Sequence, residues 1–485
     1  MTSSSVPSPR PELPASPRHI HLTAIAGVGM ASLAGMLRAA GFRVSGSDQG
    51  IYPPMSTLLD HLGIPVMQGF RPENLVPRPD LVVVGNAMSR GNPEVEAMLE
   101  SGVPYCSMPE ALMRFFMRAR RRAVVVGTHG KTTSSALLAW ILHQSGRDPS
   151  FMIGGSCKNF EHNFRLGGGD WFVAEGDEYD TAFFDKGPKF LHYDPDVALL
   201  TAVEFDHADI YRDIEHVKSA FVALLRAMRE HTHVVASADF PEIRAVLEAS
   251  GRRATLFGVD RRADWMVEDV ADTGSATRFT IVNPDRRRFA AVSRVPGVMN
   301  VVNALGAAAA ATAIGVPMEA SVEAIATFRG VRRRQEIVGE GGGVTLIDDF
   351  AHHPTAVAAT LQALRGRYAG RRLWALFEPR SNTTRRRVFQ QAFIDALAAA
   401  DRVTVAGVHR AEQLAESERL STTQVVAELG RRGVPAETCE DVDEICALVA
   451  REVRPGDVVV MMSNGSFGGL ARKLTAALAL EAPTP

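Results

Sequence analysis

Cysteine is scarce in this chain. Four of 485 residues are cysteine, at positions 106, 157, 439 and 446, and their spacing matches neither a zinc pattern nor a disulfide framework. Such usage fits reduced thiols in a reducing compartment. Long apolar runs are also missing: no stretch approaches the roughly 20 residues needed to cross a bilayer. Charge of one sign is absent as well. Lys plus Arg number 53 and Asp plus Glu 55, a net charge of −2, so nothing draws the whole molecule toward nucleic acid or an anionic membrane. The opening MTSSSVPSPRPELPASPR is rich in Ser and Pro and has no apolar core. It is no secretory signal, and residues 1–18 read as a disordered tail. No internal repeat is visible. These absences predict a cytoplasmic protein with no obligate protein partner.

What remains is globular. Hydrophobic residues make up 46% and charged residues 22%, both near the average. At about 150 residues per domain the length predicts three domains. The first, residues 19–120, opens with the apolar strand His19–Ala26. It then runs through Gly27 and Gly29 into the helix Ala31–Ala40, followed by a strand ending at Asp48. This is half of a Rossmann-like βαβ unit. The second domain, 121–330, starts with the buried strand Ala123–Val126 and the sequence GTHGKTT. It continues through strands near 171–174, 197–201 and 233–236, helix 214–228 and short antiparallel strands over 262–295. The third, 331–485, has strands at 344–347, 373–377, 403–406 and 458–462. Helical stretches between them predict a mostly parallel sheet. The expected class is α/β, with a P-loop ATPase between two Rossmann-like ends.

The strongest chemical signal is AVVVGTHGKTTSS, residues 123–135. A Gly-rich turn between a strand and a helix lets backbone N–H groups face phosphate oxygens. Lys131 would neutralise the β- and γ-phosphates, and Thr132 would ligate Mg²⁺. Only two residues separate Gly127 and Gly130, so this is a variant of the general loop. The motif also contributes Thr128, His129 and Thr133. A second constellation, DWFVAEGDEYDTAFFD (170–185), gathers Glu175, Asp177, Glu178 and Asp180 near a strand end. Such carboxylates repel one another unless a cation joins them. A third, VEFDHADIY (203–211), places Glu204, Asp206, His207 and Asp209 within six residues.

GTHGKTT resembles the ATP loop of the Mur ligases, the amide-forming enzymes of peptidoglycan assembly. The resemblance extends from about His19 to Leu480. It implies that Glu175 and His207 hold Mg²⁺ with Thr132, two ions in all, and that Lys131, Glu175 and His207 serve catalysis. Several family members carry a carbamoylated lysine past the histidine. Here Phe221 falls nearer that slot than Lys218, so none is expected. By the same resemblance Asn303 reads adenine, and Arg333, Arg334, Asp349 and His352 reach ATP from the third domain. The turn Gly27-Val-Gly29-Met30 would cradle the diphosphate of a UDP-sugar, with Asp48, Ser56, Asn86 and Arg90 in the same cleft. Asp48 behind a Gly-x-Gly turn also fits a dinucleotide fingerprint, but the third glycine is replaced by Ser32.

Within the family, YPPMSTLL, GNAMSRGNP, EYDTAFFDKGPKF, FEPRSNTTRR and MMSNGSFGGL look most like the peptide-recycling branch. That branch joins L-Ala-γ-D-Glu-meso-diaminopimelate to UDP-N-acetylmuramate. Arg380, Ser381, Asn382, Ser463 and Asn464 would then bind the peptide. The alternatives are the alanine-adding branch, a non-catalytic sensor of UDP-sugar and ATP, and an NAD-dependent dehydrogenase resting on residues 24–48 alone.

Overall fold

The computed structural model describes residues 10–52, 54–208 and 210–481. Positions 1–9 of the expected tail, Pro53 of the YPPMSTLL segment and Asp209 lie outside the described residues. The N-terminal sheet has five parallel strands in the order Val66–Gln68, Arg43–Asp48, His19–Thr23, Leu81–Val84, Tyr105–Ser107. The first strand is central because HIHLT is almost wholly buried, the position a parallel sheet assigns to apolar runs. The helix Val28–Ala39 follows it, starting three residues ahead of the sequence expectation.

Residues 10–18 depart from expectation. They form an ordered strap, because each end of it finds a partner. Arg10 makes a bidentate bond to Glu110, at 3.0 and 3.1 Å. Arg114 donates to the Pro14 carbonyl at 2.7 Å, and Asp80 accepts from the Arg18 and His19 amides.

The central sheet has ten strands and sets the site. Its parallel heart runs Thr255–Gly258, His233–Ser237, Val197–Leu200, Arg121–Val126, Trp171–Gly176, Ser150–Met152. Trp265–Asp272 continues it in parallel beyond Thr255–Gly258, and antiparallel strands close both edges: Phe164–Arg165 at one, and Thr277–Val282 and Arg288–Ser293 at the other. The consequence lies in three neighbours, Val197–Leu200, Arg121–Val126 and Trp171–Gly176. They point the same way, so the loops at their carboxyl ends share one edge. Those loops carry GTHGK, GDEYD and VEFDH. Behind them the small-residue helix Val298–Ile314 packs on helix Lys131–Gln144, and both are buried over most of their length.

The third sheet runs Glu336–Gly341, Val344–Asp349, Val458–Met462, Leu373–Phe377, Arg402–Ala406, Ala436–Cys439. All pairings are parallel except the first. It docks on the central sheet at the site edge. The rings of Phe205 and Phe389 stack at 5.6 Å, and Arg332 N donates to Ser156 O at 2.8 Å. Among the described residues no helix is long and apolar enough to cross a membrane.

Candidate active site

The loop after strand Arg121–Val126 turns at Gly127 (φ +135°) and Gly130 (φ +78°), backbone that L side chains rarely adopt. Gly130 also lies against Asn303, whose Oδ1 would stand 2.6 Å from an added Cβ. Both constraints demand glycine. Helix Lys131–Gln144 begins at Gly130 with no side-chain cap, so its first amides are open to an anion.

Lys131 turns into a carboxylate nest. Its Nζ donates to Glu178 at 2.8 and 3.1 Å and to the Gly127 carbonyl. Burial lowers the lysine pKa, but Glu178, Asp177 and Glu175 outweigh it and hold the ammonium charged. Glu178 is wholly enclosed and also accepts from His207 Nε2 at 2.9 Å. Burial pushes its carboxyl up, but Lys131 and His207 together bring it well below the usual range. For His207, burial lowers the pKa, and the bonds to Glu178 and the charge of Asp206 raise it on balance.

Glu178 is the residue sequence reasoning underrated. Composition marked it only as one carboxylate in an acidic loop. Its role follows from Lys131 and His207 arriving from two other loops, a convergence no local pattern reveals.

Glu175 bridges Thr132 Oγ1 at 2.9 Å and the Gly154 amide at 2.8 Å. Burial raises its pKa more than Lys131 lowers it, the condition of a carboxylate with room for another cation. A hydroxyl and carboxylate oxygens with an imidazole at the rim form a donor set that suits Mg²⁺. Lys218 stands apart from this set, on helix Ile214–Ala227, paired with Glu215 and Glu242 at 2.6 and 3.1 Å. Phe221 is buried beside Phe190.

His207 has φ +54°, a left-handed backbone for a non-glycine residue, which costs about 1–3 kcal/mol unless neighbours impose it. They do. Its amide donates to Asp206 Oδ1 (2.7 Å) and to Thr383 Oγ1 (3.0 Å), and Thr383 donates back to Asp206 at 2.7 Å. Thr383 belongs to the third domain, so the docked domain helps hold the histidine.

The same loop borders a cavity of about 510 Å³ lined by Tyr179, His207, Arg380, Asn382, Arg385 and Arg410, among others. Of the five expected peptide contacts, Arg380, Ser381, Asn382 and Asn464 line it. Asn464 Oδ1 is buried with no hydrogen-bond partner, an acceptor left for a ligand N–H. Ser463 does not line it. Its hydroxyl is buried against Glu378 and the Gly465 amide, so it shapes the pocket from behind. Glu378, Arg385 and Arg410 were not singled out from the sequence, although FEPRSNTTRR contains the first two.

The other expected residues fall into two groups. Asp349 and Arg334 sit together at the closing face. Burial lifts Asp349 to about 6, partly offset by Arg334 and by the amides of Ala351 and Gln335. Burial holds His352 down to about 4, and its Nδ1 lies 2.9 Å from the Phe350 carbonyl. Arg333 instead turns inward, bound to Asp348 at 3.1 Å and to the Ser463 carbonyl at 2.9 Å. Asn303 faces Ser134 and Asn300, and Asn300 binds the Pro296 carbonyl. Thr128 Oγ1 accepts from the Glu204 amide at 3.1 Å, while Thr133 is buried in the first turn of the helix.

In the first domain the uncapped N-terminus of helix Val28–Ala39 is the diphosphate candidate. Asp48 secures that turn, accepting from the Ala26 and Gly50 amides at 2.9 and 3.0 Å. Ser56 lies on the neighbouring helix Met55–His61, and Met30 is buried in the core. Asn86 is exposed, and Arg90 pairs with Glu96 at 2.9 Å.

Three family descriptions match in chain order: Mur ligase family, catalytic domain (residues 19–120), Mur ligase middle domain (125–311) and Mur ligase, glutamate ligase domain (333–465). The chain belongs to the Mur ligase family. It is 41% identical over 465 residues to the UDP-N-acetylmuramate–L-alanyl-γ-D-glutamyl-meso-2,6-diaminoheptandioate ligase of Escherichia coli K12, covering 96% of this chain and 99% of that one. It is 36% identical over 472 residues to the UDP-N-acetylmuramate–L-alanine ligase of Aromatoleum aromaticum, covering 94% and 98%. Among solved structures, a murein peptide ligase from Psychrobacter arcticus superposes with TM-score 0.71 at 35% identity, covering 96% of this chain and all of that one.

Proposed function

We propose that this chain is an ATP-dependent ligase that joins L-Ala-γ-D-Glu-meso-diaminopimelate to the lactyl carboxylate of UDP-N-acetylmuramate. The carrying observation is the cationic cavity beside His207. A tripeptide brings several carboxylates, and Arg380 and Arg410 line the cavity with guanidinium groups suited to them. Free alanine would bring only one.

The reaction has three steps. The lactyl carboxylate attacks the γ-phosphorus of ATP, forming an acyl phosphate and releasing ADP. The peptide α-amine then adds to the acyl carbon. The tetrahedral intermediate expels phosphate, and the nitrogen loses its proton as the amide forms. Lys131 stands charged at the phosphate turn, and the open amides of helix Lys131–Gln144 face the same anion. Thr132, Glu175 and His207 would hold two Mg²⁺ ions, with Glu178 positioning Lys131 and His207. When bound, Mg²⁺ neutralises and aligns the phosphoryl oxygens. Thr383 holds His207 in place only while the third domain is docked, which shields the acyl phosphate from water. The N-terminal turn 24–30 with Asp48, Ser56, Asn86 and Arg90 takes the UDP moiety. Asn303, Arg334, Asp349 and His352 surround the nucleotide of ATP.

Phosphate release decides between amines. With ATP, Mg²⁺ and UDP-N-acetylmuramate, the tripeptide should drive it and L-alanine should not. Release driven by L-alanine alone would move the chain to the alanine-adding activity. Tight nucleotide binding with no turnover on any amine would make it a sensor.

A further inference from the structure

A second group of metal-ligating side chains lies beside the Lys131 nest, at the seam between the central and third domains. His129 comes from the phosphate turn, Glu204 from the loop after strand Val197–Leu200, and His353 from the N-cap of helix Pro354–Arg367. One potential ligand atom from each lies within 4.8 Å of those of the other two.

The geometry around them is that of ligands rather than of an ordinary polar contact. His129 Nε2 and Glu204 Oε2 are 3.1 Å apart, yet both are buried and neither has a hydrogen-bond partner. The two atoms form a close ion-pair contact without a well-aligned hydrogen bond, so neither is fully committed to the other. Meanwhile the far atom of each partner is fixed. Glu204 Oε1 accepts from Thr355 Oγ1 at 3.0 Å, and the Glu204 amide donates to Thr128 Oγ1. His353 Nε2 lies 3.1 Å from the Phe205 carbonyl. A histidine whose one nitrogen donates to a backbone carbonyl presents the other as a lone pair, the arrangement that orients metal-bound imidazole. That other nitrogen, Nδ1, accepts only a long 3.4 Å bond from the Thr355 amide. Burial, with His129 adding to it, holds His353 down to about 4, so the ring is neutral near pH 7. Glu204 is ionised, because His129, His353 and Thr355 outweigh the upward push of burial.

We propose that His129, Glu204 and His353 form a site for a borderline transition-metal ion of the Zn²⁺ type, distinct from the Mg²⁺ donors at Thr132 and Glu175. Two imidazoles and one carboxylate are the ligand set zinc takes when one coordination position stays open. With two imidazoles among three ligands the set is richer in nitrogen than the mostly oxygen donors around Thr132 and Glu175, and so less suited to Mg²⁺. Because the ligands come from two domains, an ion here ties the phosphate turn to the third domain and stabilises their docked arrangement.

The test uses the full chain, stripped with a chelator and assayed without nucleotide. Zn²⁺ titration by calorimetry, with metal content after gel filtration, should give one tightly held ion per chain. Zn²⁺ should also raise the melting temperature, since it binds only the folded form. Glu204→Gln keeps the side-chain shape, and His353→Asn keeps an N-cap acceptor for the helix. Each should weaken Zn²⁺ binding at least tenfold and abolish the melting shift, with the metal-free melting temperature close to the parent's. His207→Ala should retain the ion. Undiminished binding in Glu204→Gln and His353→Asn overturns the assignment. So does binding lost in His207→Ala alone, which would place the ion at the Lys131 nest.

Discussion

Two buried His–Glu pairs in this molecule share one bond length and differ in everything around it. His21 Nε2 and Glu94 Oε1 lie 2.9 Å apart in the first domain, and neither side chain has any exposure. His207 Nε2 and Glu178 Oε1 lie 2.9 Å apart in the second. In the first pair every polar atom is committed. Ser45 meets His21 Nδ1 at 3.0 Å, Ser47 donates to Glu94 at 2.6 Å, and Asn74 donates to its other oxygen at 2.6 Å. In the second pair His207 has left-handed backbone and borders a cavity, and Lys131 is a third member. A closed polar network specifies a fold, whereas a strained one open to a cavity is free to act on a ligand.

The sharpest way to break that comparison is to remove each histidine. His21→Ala leaves Glu94 enclosed with a hydrogen-bond partner missing, and should cost about 2–3 kcal/mol in denaturant unfolding. His207→Ala leaves Glu178 still paired with Lys131. It should cost under about 1.5 kcal/mol of stability while lowering kcat about 10²-fold. Equal stability losses would show that the second pair is also structural. Lys131→Ala should lower kcat about 10³-fold while binding of UDP-N-acetylmuramate stays nearly intact. Calorimetry showing collapse of sugar-nucleotide binding would remove Lys131 from the phosphate site.

Smaller effects probe the domain seam. Thr383→Val removes the bonds from Thr383 to the His207 amide and the Asp206 carboxylate, and should lower kcat about tenfold, the worth of roughly 1.4 kcal/mol. Thr383→Ser keeps the hydroxyl and should restore most of it, with KM for the peptide little changed. A drop shared by the serine variant would mean that packing, and not the hydroxyl, is what matters. Arg410→Ala should do the opposite, raising KM for the peptide about tenfold with kcat preserved.

The asymmetry between the pairs also explains what the sequence disclosed. Strands Leu373–Phe377 and Val458–Met462 were legible to the residue, because apolar runs flanked by turns have few other uses. The GTHGKTT turn was legible because its signal is local: one strand, one turn, one helix. Short strands such as Ser150–Met152 and Ala436–Cys439 were not, since three or four residues carry no period. The hairpin of Asp180–Ala182 and Asp185–Pro188 was hidden in an acidic loop. Within the site, Glu178 and Thr383 escaped because their partners are 29 and 176 residues away. Arg333 showed the reverse. A family motif pointed it at ATP, and the fold turns its side chain to Asp348 and the Ser463 carbonyl.

The slightest effect is a pH dependence that belongs to the second pair. Glu178 titrates below its unfolded value of 4.5, so its contribution is present above that value and fades as pH falls through the folded one. His207 titrates above its unfolded value of 6.5, so its contribution is complete below 6.5 and fades as pH rises through the folded one. Both act together between about 4.5 and 6.5, and stability from this pair should crest there. Denaturant midpoints across pH should show His207→Ala losing the alkaline decline and keeping the acid one, because Lys131 still holds Glu178 ionised. An unchanged alkaline limb would assign that decline to another group and leave the His207–Glu178 bond without the charge on which its role depends.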